Sequence, residues 1–300
     1  GFITYKFIEK PFRNEGEKVF NFGKISLLGS SIVVIIISLN VSIDFQKNNH
    51  PKIAQELYKK TWFTTKQYFK PCFQRKTFFC SFNEDEKNPT VFLVGDSIMA
   101  SIQEDLKTNL LKRNINFIPM TNAGCDFLEI DNGTTCNKKI FNRRLKKIDE
   151  KVGSTIIFHL NYIQAKDDDI FFNDSFLEKI NYYLKKNYKI ILIYPIPYLD
   201  ENVSIEIEKL LDKKEEIDFL NIDFQRFLEE SEKIFTLFDN LNHENLHKIY
   251  PHKKFCNTQL IGKCVGNTQN EIYFIDKLHL SNEGSKLINV DLIKIIDKIY

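Results

Sequence analysis

A serine hydroxyl becomes a useful nucleophile only when a base takes its proton, and the base needs a carboxylate to hold its tautomer. The sequence holds residues for that chemistry in two places far apart along the chain. Ser97 stands in Gly95-Asp96-Ser97, directly after the apolar run Val91-Phe-Leu-Val94. Asp276 and His279 stand in Asp-Lys-Leu-His, close enough for one turn to present both towards a serine. Two more residues suit the oxyanion that forms when a carbonyl is attacked. They are Gly124, in Asn-Ala-Gly-Cys, and Asn161, whose amide can donate. Each has an ordinary reading taken singly: a common turn, a helix cap, an exposed histidine. Their combination carries the signal.

The elements around them explain how they could meet. Short β-rich runs occur at 91–94, 116–120, 154–160 and 188–194, the last stopping at Pro195 and Pro197. A further run at 271–275 reads as the last strand. Between them, 98–111 reads as helical and the charged, periodic stretch 203–228 as mostly helical, and Ser281 is placed to cap a final helix. Strands alternating with helices predict an α/β domain whose parallel sheet is covered on both faces. In such folds ligands bind beyond the carboxyl ends of the strands. Ser97, Gly124 and Asn161 follow the first three strands, and Asp276 with His279 follows the last. All five are therefore expected at one edge of one sheet.

Composition narrows the class. The chain has 300 residues, and 42 Lys and Arg nearly balance 40 Asp and Glu. No basic stripe of the kind nucleic acids require is present, and the pair Arg143-Arg144 reads as a solvated helix face. The six cysteines fall into neighbouring pairs, Cys72 with Cys80, Cys125 with Cys136, and Cys256 with Cys264. None has the spacing of a zinc ribbon or a redox motif. Local pairs in even number suggest disulfides and an oxidising compartment, although sequence leaves their connectivity open. Two metal readings are weaker. His243, His247, His252 and Cys256 have one zinc-compatible spacing but no acidic second motif, and Cys256 has Cys264 as a rival partner. The run Asp167 to Asp169 lacks the glycine and distal glutamate of a calcium loop.

The N-terminal region looks different. Residues 25–43 run about 19 positions without a charge, bounded by Lys24 and Asp44, enough to cross a hydrocarbon core. An apolar piece and a polar stretch with Pro11 precede it, which suits a helix end, a cytoplasmic turn and a second span at 25–44. The reading divides the chain into 1–24, a transmembrane helix at 25–44, a linker at 45–88 packing on the main domain, and an α/β domain at 89–300.

Gly95-Asp96-Ser97, Gly124, Asn161 and Asp276-x-x-His279 resemble the four blocks of the SGNH, or GDSL-like, hydrolases. Gly1 to Asn14, GFITYKFIEKPFRN, resembles the end of the multi-span acyltransferase-3 domain, and Gly124-Cys125 and the Cys256–Cys264 spacing resemble the subgroup fused to it. The resemblance implies a flavodoxin-like three-layer fold with a parallel sheet, preceded by a transmembrane helix, in a bacterial inner-membrane protein whose SGNH domain is periplasmic. It implies Ser97, Asp276 and His279 as catalytic residues, and Ser97, Gly124 and Asn161 as the oxyanion hole, with no metal or cofactor. The implied activity is O-acyl transfer, O-acetyl above all, to a surface glycan such as lipopolysaccharide. The acyl donor would be handed over by the acyltransferase-3 domain. Two departures bear on the acceptor side: Ile98 stands where the subgroup commonly has histidine, and Tyr162 where it often has tryptophan. A carbohydrate acetylesterase and an inactive glycan-binding module remain as alternatives.

Overall fold

The computed structural model describes Cys72 and residues 79–125, 137–159, 174–213 and 215–300. The expected span at 25–44, together with Cys136, Asn161 and most of 45–88, lies outside these residues. Among the described residues no helix is long and apolar enough to cross a membrane.

Five strands form a parallel sheet among the described residues: β1 (Thr90–Gly95), β2 (Asn116–Thr121), β3 (Thr155–His159), β4 (Lys189–Ile193) and β6 (Leu246–Ile249). Their order is β2-β1-β3-β4-β6. Every residue of β1, β2 and β3 is buried, which requires cover on both faces, since successive side chains point to opposite sides. The continuous apolar runs have this cause. β1 lies between β2 and β3, pairing Gly95 with Thr121 and Val94 with both Met120 and Phe158.

Helix α1 (Ser97–Leu111) leaves the end of β1, and α2 (Lys138–Asp149), α3 (Asp174–Lys185) and α4 (Val203–Lys213) follow in the later crossovers. The final helix, α7 (Asn282–Ile299), has Ser281 as its N-cap, the hydroxyl accepting from the Gly284 N–H at 3.0 Å. Ser285 Oγ on α7 donates to the Ser101 carbonyl at 2.9 Å, and Asn289 Nδ2 to Ile102 O at 3.1 Å, so α7 docks along α1.

One expectation is corrected and another refined. The run 271–275 is not a sheet strand. It makes isolated bridges, Asn267 with Ile272 and Phe274 with Leu280, because the chain folds back on itself there. The fifth strand is instead β6, an edge strand whose His247 and Lys248 are half-exposed and break any apolar run. The stretch 203–228 is also not one helix. After α4 the chain enters β5 (Asn221–Asp223), antiparallel to β7 (Lys263–Val265), and Asp223 then caps α5 (Phe224–Asp239). Asn267 enforces the break by accepting from Leu220 N and donating to Asp218 O. Beside β6 lies the single turn α6 (His252–Phe255).

Cys72 is bonded to Cys80, and Cys256 to Cys264, the latter stapling α6 to β7. Cys125 is also disulfide-bonded, and its expected partner Cys136 lies outside the described residues. The disulfide removes Cys256 from any metal-ligand set. His252 is packed among Phe224, Phe227, Phe235 and Tyr250, with ring centroids 5.2 to 6.2 Å away.

Burial, helped by Lys253, pushes the His252 imidazole down to about 4. An unfolded histidine titrates near ~6.5. Between these values the unfolded chain binds a proton that the folded chain refuses, so this contribution to stability is lost as pH falls from about 6.5 towards about 4. Burial lowers His159 and His247 in the same direction. His252→Phe should therefore reduce, without abolishing, the loss of stability between neutral and mildly acidic pH in urea titrations. An unchanged pH slope would refute this account.

Candidate active site

The site is built where β1 ends. Gly95 has φ +157°, and a Cβ there would lie 2.4 Å from Met99 Cγ, so only glycine lets α1 start this close to the strand. Asp96 is the N-cap of α1, its carboxylate accepting from Ile98 N at 2.8 Å and Met99 N at 3.4 Å. Ser97 becomes the first residue of the helix, half-exposed among buried neighbours. Backbone N–H groups and the helix dipole at such an end favour negative charge.

The loop after β2 meets this one directly. Asn122 N–H donates to the Gly95 carbonyl at 3.0 Å, and Cys125 N–H closes a turn onto Asn122 O at 3.2 Å. Gly124, within that turn, has φ +59°, a left-handed conformation natural for glycine. The expected loop after β3, with Asn161, lies outside the described residues. His159, the last residue of β3, is buried and hydrogen-bonds through Nδ1 to Ile193 O at 3.1 Å. Burial holds its pKa below the ordinary histidine value, against the opposing charge of Asp96.

The turn 276–279 comes from the far end of the chain. One Asp276 oxygen accepts from Leu278 N at 2.9 Å and His279 N at 2.8 Å, which closes the turn. The other accepts from His279 Nδ1 at 2.7 Å. That bond leaves Nε2 as an acceptor, and Ser97 Oγ donates to it at 2.8 Å. Leu199 N–H donates to Lys277 O at 2.8 Å and Ser204 Oγ to Ile275 O at 2.6 Å, so the β4–α4 connection braces the turn. Burial raises the Asp276 pKa, but hydrogen bonds from the His279 ring and two backbone N–H groups outweigh it and hold the carboxyl below its usual range.

The structure thus brings Ser97, Asp276 and His279 into one hydrogen-bonded chain and places the Gly124 loop against Gly95. Sequence reasoning missed Arg144. Far from lying on a solvated face, it is 2% exposed. Its place was legible in spacing, since Ile140, Arg144 and Ile148 recur at helical intervals along the buried side of α2.

The family model described as SGNH domain (fused to AT3 domains) matches residues 70–293. The chain belongs to this family. Among solved structures, the SGNH domain is similar to the periplasmic domain of a lipopolysaccharide acetyltransferase from Salmonella ser. Paratyphi A. The TM-score is 0.52 and the identity 18%, over 71% of this chain and 85% of that one. A putative platelet activating factor from Streptococcus pneumonia matches at TM-score 0.43 and 12% identity, over 88% of this chain and 99% of that one. No curated protein matches the sequence. At such identities the likeness to the Salmonella domain is one of fold.

Gly95→Ala should force Met99 and the start of α1 to shift. We expect a loss of about 1–3 kcal/mol in stability, typical of overpacking, measured by urea unfolding. A variant as stable as the parent would show that the close approach is not needed.

Proposed function

We propose that this SGNH domain is an O-acyltransferase, carrying an acetyl group to a hydroxyl of a cell-surface glycan such as lipopolysaccharide through an acyl-enzyme at Ser97. The observation that carries the reading is the unbroken path Ser97 Oγ–His279–Asp276, with bonds of 2.8 and 2.7 Å. His279 Nε2 takes the hydroxyl proton as Ser97 Oγ attacks the acyl carbonyl, and Asp276 stabilises the imidazolium through Nδ1–H. The N–H groups of Ser97 and Gly124, with the Asn161 amide, stabilise the tetrahedral oxyanion. One such donor is worth about 3 kcal/mol. Collapse of that intermediate breaks the bond to the leaving group, which receives the proton from His279 and departs. His279 then deprotonates the glycan hydroxyl, which attacks the Ser97 ester and returns the serine to its free form.

Family membership supports the membrane setting. The domain lies on the periplasmic side of a bacterial inner membrane, where its disulfides persist, and receives its acyl group from an acyltransferase-3 domain. The shared fold with the Salmonella domain, itself from a lipopolysaccharide acetyltransferase, supports lipopolysaccharide as the acceptor class. Water competing with the acceptor would give acetylesterase activity from the same intermediate.

The test is intact-mass spectrometry of the 300-residue chain in detergent, exposed to 4-nitrophenyl acetate. An acetyl-sized adduct should accumulate in the parent and be absent from Ser97→Ala and His279→Ala, while Asp276→Asn lowers kcat by about 10⁴ through the wrong tautomer. Persistence of adduct and turnover in Ser97→Ala would exclude the acyl-enzyme. A folded parent that never acylates would favour a glycan-binding role.

A further inference from the structure

We propose that Arg144 is a positioning residue for the oxyanion site, fixing the two loops that carry its backbone donors. The inference rests on the acyl-enzyme reading above and adds a residue that does not touch the reacting atoms. Arg144 lies in the buried stripe of α2, between Ile140 and Phe141 on one side and Ile148 on the other. Nη2 donates to the Gly95 carbonyl at 3.1 Å, and Nη1 donates to the Cys125 carbonyl at 3.0 Å.

These two acceptors define the function. The Gly95 carbonyl belongs to the peptide from which the chain turns through Asp96 into Ser97. It already accepts Asn122 N–H from the second loop. The Cys125 carbonyl lies immediately after Gly124, and Cys125 N–H closes the turn around that glycine. One planar guanidinium therefore bridges the Gly95–Asp96 peptide, just before Ser97, and the carbonyl of Cys125, the residue after Gly124. Its donors sit in a rigid fork, so it sets distance and orientation together, which a flexible ammonium cannot do. A buried guanidinium carries a large desolvation cost, and leucine would complete the apolar stripe without it. The position is thus accounted for by the donors it supplies to the two loops.

The test compares Arg144→Met, which keeps length and the apolar stripe but deletes both donors, with Arg144→Lys, which keeps charge without the fork. Turnover of 4-nitrophenyl acetate is measured on the full chain per active site, counted by stoichiometric labelling of Ser97 with a fluorophosphonate. This removes any effect of a smaller folded fraction. For Arg144→Met we expect kcat per site to fall about 30- to 100-fold, somewhat less than deletion of a donor itself. KM should stay within about threefold, and Arg144→Lys should fall between. The acid limb of the kcat–pH profile should not move, because Arg144 touches neither His279 nor Asp276 in these bonds. Parental kcat per site in either variant, or a loss confined to KM, overturns the inference. If Arg144→Met does not fold, Arg144→Lys decides by the same two readouts. Unchanged turnover in Ser97→Ala would instead sink the acyl-enzyme reading, which separates the two failures.

Discussion

The 2.8 Å bond between Ser97 Oγ and His279 Nε2 joins residues 182 positions apart, and most of the domain exists between its two ends. No local element can hold that geometry. Ser97 is fixed by the end of a central strand, since β1 is paired on both sides and cannot slide without breaking two registers. His279 sits on a turn outside the sheet, so its placement must come from elsewhere. It comes from α7, which begins just after the turn and docks along α1, the helix that Ser97 begins. Ser97 and His279 are thus carried at or just before the starts of two helices packed side by side. The Asn289 amide reaching both Ile102 O and Asp105 Oδ2 locks their relative height.

Charge is handled with the same economy at this edge. Asp276 is buried enough to resist ionisation, yet three N–H bonds more than compensate, and two of them close the turn that positions it. The carboxylate that fixes the imidazole is also the cap that shapes its loop. At the end of β1, Asp96 acts in a matching way, satisfying the Ile98 and Met99 N–H groups of α1. His159, buried at the end of β3, has its pKa lowered by burial against the opposing charge of Asp96, which disfavours a further cation at this edge.

Strands β1 to β4 were legible because burial on both faces writes an uninterrupted apolar run, and the positions of Ser97 and Gly124 were legible because they follow two of those runs. The misreadings share one cause, which is that local pattern reports burial and not its geometry. Residues 271–275 are apolar because they are buried, but Ile275 N–H bonds back to His279 O and serves the turn, not the sheet. β6 is a true strand whose exposed edge admits His247 and Lys248, so it wrote no run at all. The break within 203–228 depends on Asn267, some forty residues later, which no window around the helix contains. Arg144 was misread because charge was given more weight than its helical interval with Ile140 and Ile148.

These cases separate two kinds of stability within one domain. The sheet and its helices are held by apolar burial, which tolerates substitution and needs only the right pattern. The loops at the carboxyl edge have no ladder of their own, and yet among the described residues Ser97, Gly124, Asp276 and His279 lie on or beside them. They are tied by discrete polar and covalent links: the Asp276 carboxylate, the Arg144 fork, the Leu199 bond to Lys277, the disulfide at Cys125 and the Cys256–Cys264 staple. Each of these is a one-to-one match of donor to acceptor or sulfur to sulfur. A loop held this way has its position defined by few contacts, and the loss of any one moves the atoms it places while leaving the core intact. On the proposal above, this is how an arginine in the buried stripe of α2 matters to the loops at the carboxyl edge of the sheet, whereas an apolar residue of similar length there would satisfy the fold and not those loops.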